Sequence, residues 1–192
     1  DEKRTAQRIL ELAAPSSDDL ADRRAWAREE AASLRARQRD AARSVAQESD
    51  KVRPYVLADA LDKTLERFGG GLVTIEQYAV AQDILENTGD AGNNQYIRAP
   101  GGSEGYGMGA AIGAKLGAPD TPVVGLVGDG GFLMRASELE TAARLGVAPI
   151  FIVFDDATLG MIRIKQQSKG YERLGVDLAQ TDFARLAESF GG

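Results

Sequence analysis

Acidic residues directly follow two apolar segments of the sequence, and their chemistry suits a hard metal ion. Asp129 follows the run 123–127, and Asp155-Asp156 follow the run 150–154. Both runs have the composition of buried strands, and the carboxyl ends of neighbouring parallel strands lie about 5 Å apart. Carboxylates from both strand ends can then hold one cation, and oxygen ligands favour Mg²⁺ or Ca²⁺.

Three glycines surround the first of these acids. Gly128, Gly130 and Gly131 allow a tight backbone turn and bring N–H groups close to an anion. The helix predicted after them adds the partial positive charge of its N-terminus. A GDG sequence after a strand is commonly only a turn into a helix, but its occurrence together with a second acidic strand end favours a Mg²⁺–diphosphate site. These residues alone do not distinguish one nucleotide or phosphate ligand from another.

From residue 72 onwards, short apolar runs alternate with helical patterns. The pattern predicts strands over 72–75, 123–127 and 149–154, and helices over 107–116 and 135–145, the second ended by Gly146. Continuous apolar strands separated by helices indicate a parallel sheet that is covered on both faces. We therefore predict an α/β domain with three layers, αβα, and a mainly parallel sheet.

The N-terminal part of the chain is different, because residues 1–68 contain none of the 22 glycines. Apolar residues recur every seven positions on an otherwise charged helix: Leu20, Ala27, Leu34 and Ala41. Such a narrow stripe predicts a surface helix that lies against a larger body. Residues 1–53 are therefore treated as a separate part of the chain, and the family resemblance described below implies that they are a helical connector from a preceding domain.

A second helix is predicted from about Pro54. Four apolar residues at spacings of four, four and three share one of its faces: Leu57, Leu61, Leu65 and Phe68. Gly69-Gly70-Gly71 is expected to end it. This helix opens the second predicted domain, residues 54–192.

Composition excludes several classes of protein. The 192 residues carry a formal net charge of −6 and include no cysteine or histidine. Disulfide frameworks, thiolate or imidazole metal sites and histidine-dependent nucleophiles are therefore excluded. The acidic balance argues against nucleic-acid binding, and no apolar run approaches the roughly 18 residues of a membrane span. The absence of cysteine fits a reducing compartment, so we expect a cytoplasmic protein.

Four segments together resemble the thiamine diphosphate-binding domain of 2-keto-acid decarboxylases and acetolactate synthases. They are GDGGFLM at 128–134, GYGMGAAIGAK at 105–115, LGM at 159–161 and Glu76-Gln77-Tyr78. The acetolactate synthase version is the most similar, and the resemblance covers nearly the whole chain. It implies the C-terminal domain of a three-domain enzyme. The missing initial Met and the final Gly191-Gly192 lead us to expect a piece of a longer polypeptide, truncated before its last strand.

The resemblance also implies residue roles. Mg²⁺ would be bound by the side chains of Asp129 and Asp156 and by the carbonyl of Thr158. The diphosphate would contact Gln77, Tyr78, Gly130, Gly131, Leu159, Gly160 and Met161. The carbonyl of Gly102 would accept a hydrogen bond from the 4′-amino group of the cofactor.

Two departures from the family pattern affect this site. The family usually has Asn-Asn where this chain has Asp155-Asp156, and the additional charge lies beside a diphosphate. An aspartate still binds Mg²⁺, but the charge opposes the cofactor unless a cation offsets it. Gly131 stands where a serine is common, so one hydroxyl donor is lost.

A third departure is Glu104, which stands where the family has a large aliphatic residue that props the cofactor into its bent form. A carboxylate there is expected to be poorly solvated, with a raised pKa. Three interpretations remain open. Glu104 is a catalytic acid–base group of an unusual reaction, or Met108 or Tyr106 is the prop, or the domain no longer catalyses.

The activity implied by the resemblance is cleavage or ligation of a C–C bond in a 2-keto acid, dependent on thiamine diphosphate and Mg²⁺. The alternatives are a lyase of the same cofactor class that acts on 2-hydroxyacyl or acyloin substrates, and a degenerate domain without catalysis. In this family a glutamate from another domain, generally of a partner subunit, completes the site. We therefore expect a homodimer or homotetramer with shared sites, and an inactive isolated chain.

Overall fold

The computed structural model describes residues 20–27, 29–30, 32–33, 36–37, 52, 54–76, 94–98 and 103–192. Contacts divide the chain into two units, Asp1–Ala41 and Ala42–Gly192. In the first unit all described residues are helical, whereas Leu34 and Ala41 of the predicted stripe lie outside the described residues. The predicted domain boundary between residues 53 and 54 stays a prediction.

The second unit contains a four-stranded parallel sheet. Its strands are β1 (Leu72–Ile75), β2 (Gln95–Arg98), β3 (Val123–Gly128) and β4 (Ile150–Phe154), in the order β2-β1-β3-β4. The three predicted strands are confirmed to within one residue. The fourth, β2, was not predicted.

Six helices are described with the sheet. They are α1 (Pro54–Glu66), α2 (Tyr106–Gly117), α3 (Asp129–Arg135), α4 (Glu138–Leu145), α5 (Gly160–Ser168) and α6 (Phe183–Ser189). The prediction of one helix over 135–145 is wrong at its start, because α4 begins at Glu138 and a separate helix precedes it. The end is confirmed, since Gly146 adopts φ 64° and closes α4.

The two faces of the sheet are covered by different helices. Alternate residues of a strand point to opposite faces. Val73 and Ile75 pack with α1 on one face, whereas Val127 packs with α2, α3 and α4 on the other. This arrangement confirms the predicted three-layer α/β fold. None of the described helices is long and apolar enough to cross a bilayer.

Helix α2 approaches the sheet closely because its contact surface is made of small residues. A Cβ on Gly125 of β3 would lie 3.2 Å from the Cβ of Ala111, and one on Gly107 would lie 2.6 Å from Val127 Cγ1. The hydroxyl of Thr74 donates to the carbonyl of Gly107 at 3.1 Å in the buried contact. Close packing of this helix therefore fixes where its N-terminus meets the strand ends.

One expectation for α1 is wrong. Leu61 and Leu65 are buried as predicted, but the Phe68 side chain is 70% exposed. The helix ends at Glu66, and Gly69 and Gly70 follow with φ 82° and 114°. Phe68 therefore lies in the turn after the helix, where the helical spacing no longer decides its direction.

Candidate functional site

The register of β3 against β4 brings the acidic strand ends together. Gly128 pairs with Phe154, so the residues that follow them, Asp129 and Asp155, leave the same edge of the sheet. The sequence left open whether these two strands are neighbours, and the structure pairs them. Adjacent strands are about 5 Å apart, which places both acids within reach of one crevice.

Asp129 is the most buried of these acids, with only 5% of its surface exposed. Its Oδ1 accepts a hydrogen bond from the Gly130 amide at 2.7 Å, whereas Oδ2 is buried without a hydrogen-bond partner. Burial raises the pKa of Asp129 above its ordinary value, and the nearby Asp156 carboxylate raises that pKa further. A buried carboxylate oxygen with no donor is a costly arrangement that a bound cation would relieve.

The loop after β4 turns sharply beside this carboxylate. Asp155 Oδ1 accepts from the amide of Ala157 at 3.1 Å, and Ala157 itself adopts a left-handed φ of 53°. The side chain of Asp156 is exposed and extends towards the start of α5, where a Cβ on Gly160 would lie 3.5 Å from its Oδ2. Asp155 therefore holds the turn, and Asp156 is the acid whose side chain remains available for a ligand.

Thr158 is held in place by the segment 176–178. It forms an isolated antiparallel bridge with Asp177, closed by backbone hydrogen bonds of 2.9 and 2.8 Å between the segments 157–159 and 176–178. Its hydroxyl donates to the carbonyl of Val176 at 2.9 Å. The hydrogen bonds of the bridge are made by the neighbours of Thr158, Ala157 and Leu159, and not by Thr158 itself. In an antiparallel pair of this kind, the carbonyl of Thr158 points away from the segment 176–178.

Asp129, Asp156 and the carbonyl of Thr158 would together give an oxygen-only donor set, which is the kind that Mg²⁺ prefers. The described residues contain no cluster of three acidic side chains that could hold a metal by themselves. Two carboxylates and one carbonyl would leave coordination positions for phosphate oxygens and water, which is the usual arrangement for Mg²⁺. The uncompensated Oδ2 of Asp129 is the observation that fits a cation here.

The predicted diphosphate-binding residues are partly brought together. A Cβ on Gly130 would lie 2.8 Å from Leu159 Cδ2, so Leu159 packs over this glycine. Gly160 and Met161 form the first turn of α5. The Gly130 amide is engaged by Asp129 in this structure, and its role towards a diphosphate stays a prediction. Gln77, Tyr78 and Gly102 lie outside the described residues.

One acidic residue of the site was not assigned a role from the sequence. Glu76 directly follows β1, as Asp129 follows β3, and its Oε2 accepts from the Gly128 amide at 3.2 Å. Its Oε1 is buried without a hydrogen-bond partner. Burial raises the pKa of Glu76, and the Glu104 carboxylate raises it further. Its position after a strand was the signal that could have identified it.

The expectation of a poorly solvated Glu104 is wrong. This residue lies in an exposed turn before α2, so water reaches its carboxylate. Met108 is fully buried in the cluster with Val127 and Phe132, so it does not face the crevice, whereas Tyr106 is half-buried at the first position of α2. The role of Glu104 stays a prediction.

A groove of about 550 Å³ lies elsewhere, between β4 and α6. Its walls are apolar and include Phe132, Phe151, Phe183 and Phe190. None of the predicted site residues lines it, so this groove and the acidic crevice are separate features.

Comparison with known proteins identifies the family to which this fold belongs. Residues 82–192 match the family described as thiamine pyrophosphate enzyme, C-terminal TPP binding domain. Because this match covers more than half of the 192 residues, the chain belongs to the thiamine pyrophosphate enzyme family.

Individual relatives support the same assignment. The chain is 46% identical over 81 residues to acetolactate synthase of Bacillus subtilis, which is 42% of this chain and 14% of that protein. It is 44% identical over 91 residues to the probable 2-ketoarginine decarboxylase AruI of Pseudomonas aeruginosa, which is 47% of this chain and 16% of that protein. The matched region thus spans about one sixth of these relatives.

A solved structure has the same fold. The thiamine diphosphate-dependent 4-hydroxybenzoylformate decarboxylase of Rhodococcus jostii RHA1 superposes with a TM-score of 0.62 and 26% sequence identity. The superposition covers 74% of this chain and 27% of that one.

Proposed function

We propose that this chain binds thiamine diphosphate and Mg²⁺ in an enzyme that cleaves or forms a C–C bond of a 2-keto acid, as acetolactate synthases do. The observation that carries the proposal is the buried Asp129, whose Oδ2 has no hydrogen-bond partner. It lies at the strand edge that also presents Asp156, in a domain of the thiamine pyrophosphate enzyme family. A divalent cation shared with a diphosphate would satisfy that oxygen.

The chain's own residues would bind and orient the cofactor. Asp129, Asp156 and the carbonyl of Thr158 would hold the metal. The amides of Gly130 and Gly131 and the segment 159–161 would lie along the diphosphate, together with Gln77 and Tyr78. The carbonyl of Gly102 would accept a hydrogen bond from the 4′-amino group of the cofactor. When bound, thiamine diphosphate supplies an electron sink for cleavage of the bond next to a carbonyl.

The substrate class follows from the relatives, whose names include acetolactate synthase and 2-ketoarginine decarboxylase. A lyase acting on 2-hydroxyacyl or acyloin substrates would use the same metal and diphosphate contacts. Turnover assays of the full-length protein with pyruvate, a larger 2-keto acid and an acyloin distinguish the two reactions.

Calorimetric titration of the full-length protein with thiamine diphosphate, with and without Mg²⁺, tests the proposal. We expect micromolar binding that requires the metal and that is lost in Asp129→Asn. Asp120→Asn is the matched control, because Asp120 lies in an exposed turn away from the crevice. Failure to bind millimolar cofactor would instead support a degenerate domain, which the charges of Asp155 and Glu104 would favour.

We further propose a cytoplasmic homodimer or homotetramer with sites shared between subunits. The chain matches only 14 to 16% of the acetolactate synthases and the decarboxylase above, so most of the catalytic machinery would come from other domains. Sedimentation velocity on the full-length protein tests the assembly. The isolated 192-residue chain is expected to show no turnover, and detectable turnover would contradict this expectation.

A further inference from the structure

The side chain of Glu76 occupies a slot formed by three glycines from different segments. A Cβ on Gly131 would lie 2.7 Å from Glu76 Cδ and still closer to a carboxylate oxygen, and one on Gly107 would lie 3.1 Å from Glu76 Cγ. The third glycine, Gly128, donates its amide to Glu76 Oε2 at 3.2 Å. The slot exists because Gly107 and Gly131 carry no side chain, whereas Gly128 contributes its amide and an added Cβ there would meet nothing within 4 Å.

This slot joins three parts of the site. Glu76 directly follows Ile75, the last residue of β1. Because Ile75 pairs with Leu126 of β3, the backbone that leads into Glu76 is fixed in the sheet. Gly107 belongs to the first turn of α2, and Gly131 to the first turn of α3. A side chain that touches all three elements determines the spacing between them.

We propose that Glu76 is a positioning residue for the turn 128–131, and that its side chain takes the space beside Gly131 that a larger residue there would need. This inference rests on the proposed function, because the turn is the part of the chain proposed to bind the diphosphate. It also explains why a glycine stands at 131, where the similar family commonly has a serine.

A larger residue at position 131 would collide with the side chain of Glu76. The atoms nearest to the added Cβ are the end of the Glu76 side chain, which can rotate, and not backbone atoms, which cannot. A methyl group at 131 would therefore displace the carboxylate from the slot and release the Gly128 amide. Gly131→Ala and Glu76→Ala should then produce the same defect.

The test is a double-mutant cycle on thiamine diphosphate affinity, measured by calorimetry on the full-length protein with saturating Mg²⁺. Glu76→Ala and Gly131→Ala should each weaken binding about ten-fold, which corresponds to about 1.4 kcal/mol. The double variant should also lose about ten-fold, because the second substitution removes a contact that is already lost. A hundred-fold loss in the double variant would mean independent effects and would overturn the proposal.

Two further variants complete the experiment. Glu76→Gln keeps the size and the acceptor for Gly128, so it should retain affinity for thiamine diphosphate within about three-fold. Lost activity with retained affinity would show a direct chemical role and overturn a positioning one. Gly109→Ala is the control glycine of α2, because nothing lies within 4 Å of the added Cβ.

The outcomes separate this inference from the proposed function. If the wild-type protein does not bind thiamine diphosphate, the proposed function fails, and the positioning role fails with it. If the wild type binds thiamine diphosphate and the losses of the two single variants add in the double variant, only the positioning role of Glu76 fails. Should Gly131→Ala not fold, the comparison of Glu76→Ala with Glu76→Gln decides, because equal losses in those two variants would contradict slot filling.

Discussion

Replacement of Phe132 tests how firmly the helix that begins at Asp129 is attached to the domain. Phe132 is 2% exposed, and its ring makes edge-to-face contacts with Phe151 at 6.2 Å and Phe183 at 5.1 Å between centroids. Truncation of a buried phenylalanine to alanine costs about 3–5 kcal/mol. The two aromatic pairs account for about 1–3 kcal/mol of that loss, at about 0.5–1.5 kcal/mol each. Phe132→Leu, which keeps most of the volume, should therefore cost about half as much.

The assay is hydrogen exchange of the full-length protein, followed in peptides that cover β3, α3 and β4. A loss of 3 kcal/mol or more lowers amide protection by about a hundred-fold, since about 1.4 kcal/mol corresponds to a factor of ten. Met134→Ala is the matched control, because Met134 lies on the same helix with 55% of its surface exposed. A decrease below about ten-fold in Phe132→Ala would refute the packing argument.

Three further predictions concern single contacts. Thr74→Val removes the buried hydroxyl that donates to Gly107 and should destabilise the protein by about 1–3 kcal/mol in thermal or urea unfolding, whereas Thr74→Ser should keep the hydrogen bond. Glu76 has a pKa raised above its ordinary 4.5, so its stabilising contribution is present below pH 4.5 and is lost as the pH rises through the folded-state value. Glu76→Gln should therefore unfold at a higher temperature than the wild type at pH 7. An equal or lower unfolding temperature would contradict the predicted destabilisation by the ionised carboxylate. Asp182→Ala removes the N-cap that accepts from the Arg185 amide at 3.0 Å, and α6 should lose about 1 kcal/mol of local stability by hydrogen exchange.

The parallel sheet could be predicted because three of its four described strands, β1, β3 and β4, are mainly apolar runs next to glycine or acidic residues. The strand β2 could not, since QYIR contains only two apolar residues. Its place depends on tertiary contacts, which include pairing with β1 and the Tyr96 hydroxyl that donates to the buried Asp62. The sequence pattern within β2 does not indicate those contacts.

The sequence predicts the parts of the candidate site that directly follow a strand. It does not predict the parts that depend on contacts between segments distant in the sequence. Asp129 and Asp155 could be predicted at the same edge of the sheet, because each follows a strand of a parallel sheet, whereas the adjacency of those strands came from the structure. The role of Glu76 requires glycines from α2, β3 and α3 to meet around one side chain, and sequence spacing does not contain that information. The helical start of α3 was missed for the same reason, since its glycines were expected to form only a turn.

The left-handed Ala157 has a consequence for ion selection. A residue with a Cβ in this conformation carries about 1–2 kcal/mol of strain, which the Asp155 side chain and the bridge at Thr158 hold in place. The curvature of the loop is thus held by contacts within the protein itself, which oppose its widening. Ca²⁺ needs ligands at about 2.3–2.6 Å and Mg²⁺ at about 2.0–2.1 Å, so a stiff loop of this kind should discriminate between the two ions by radius.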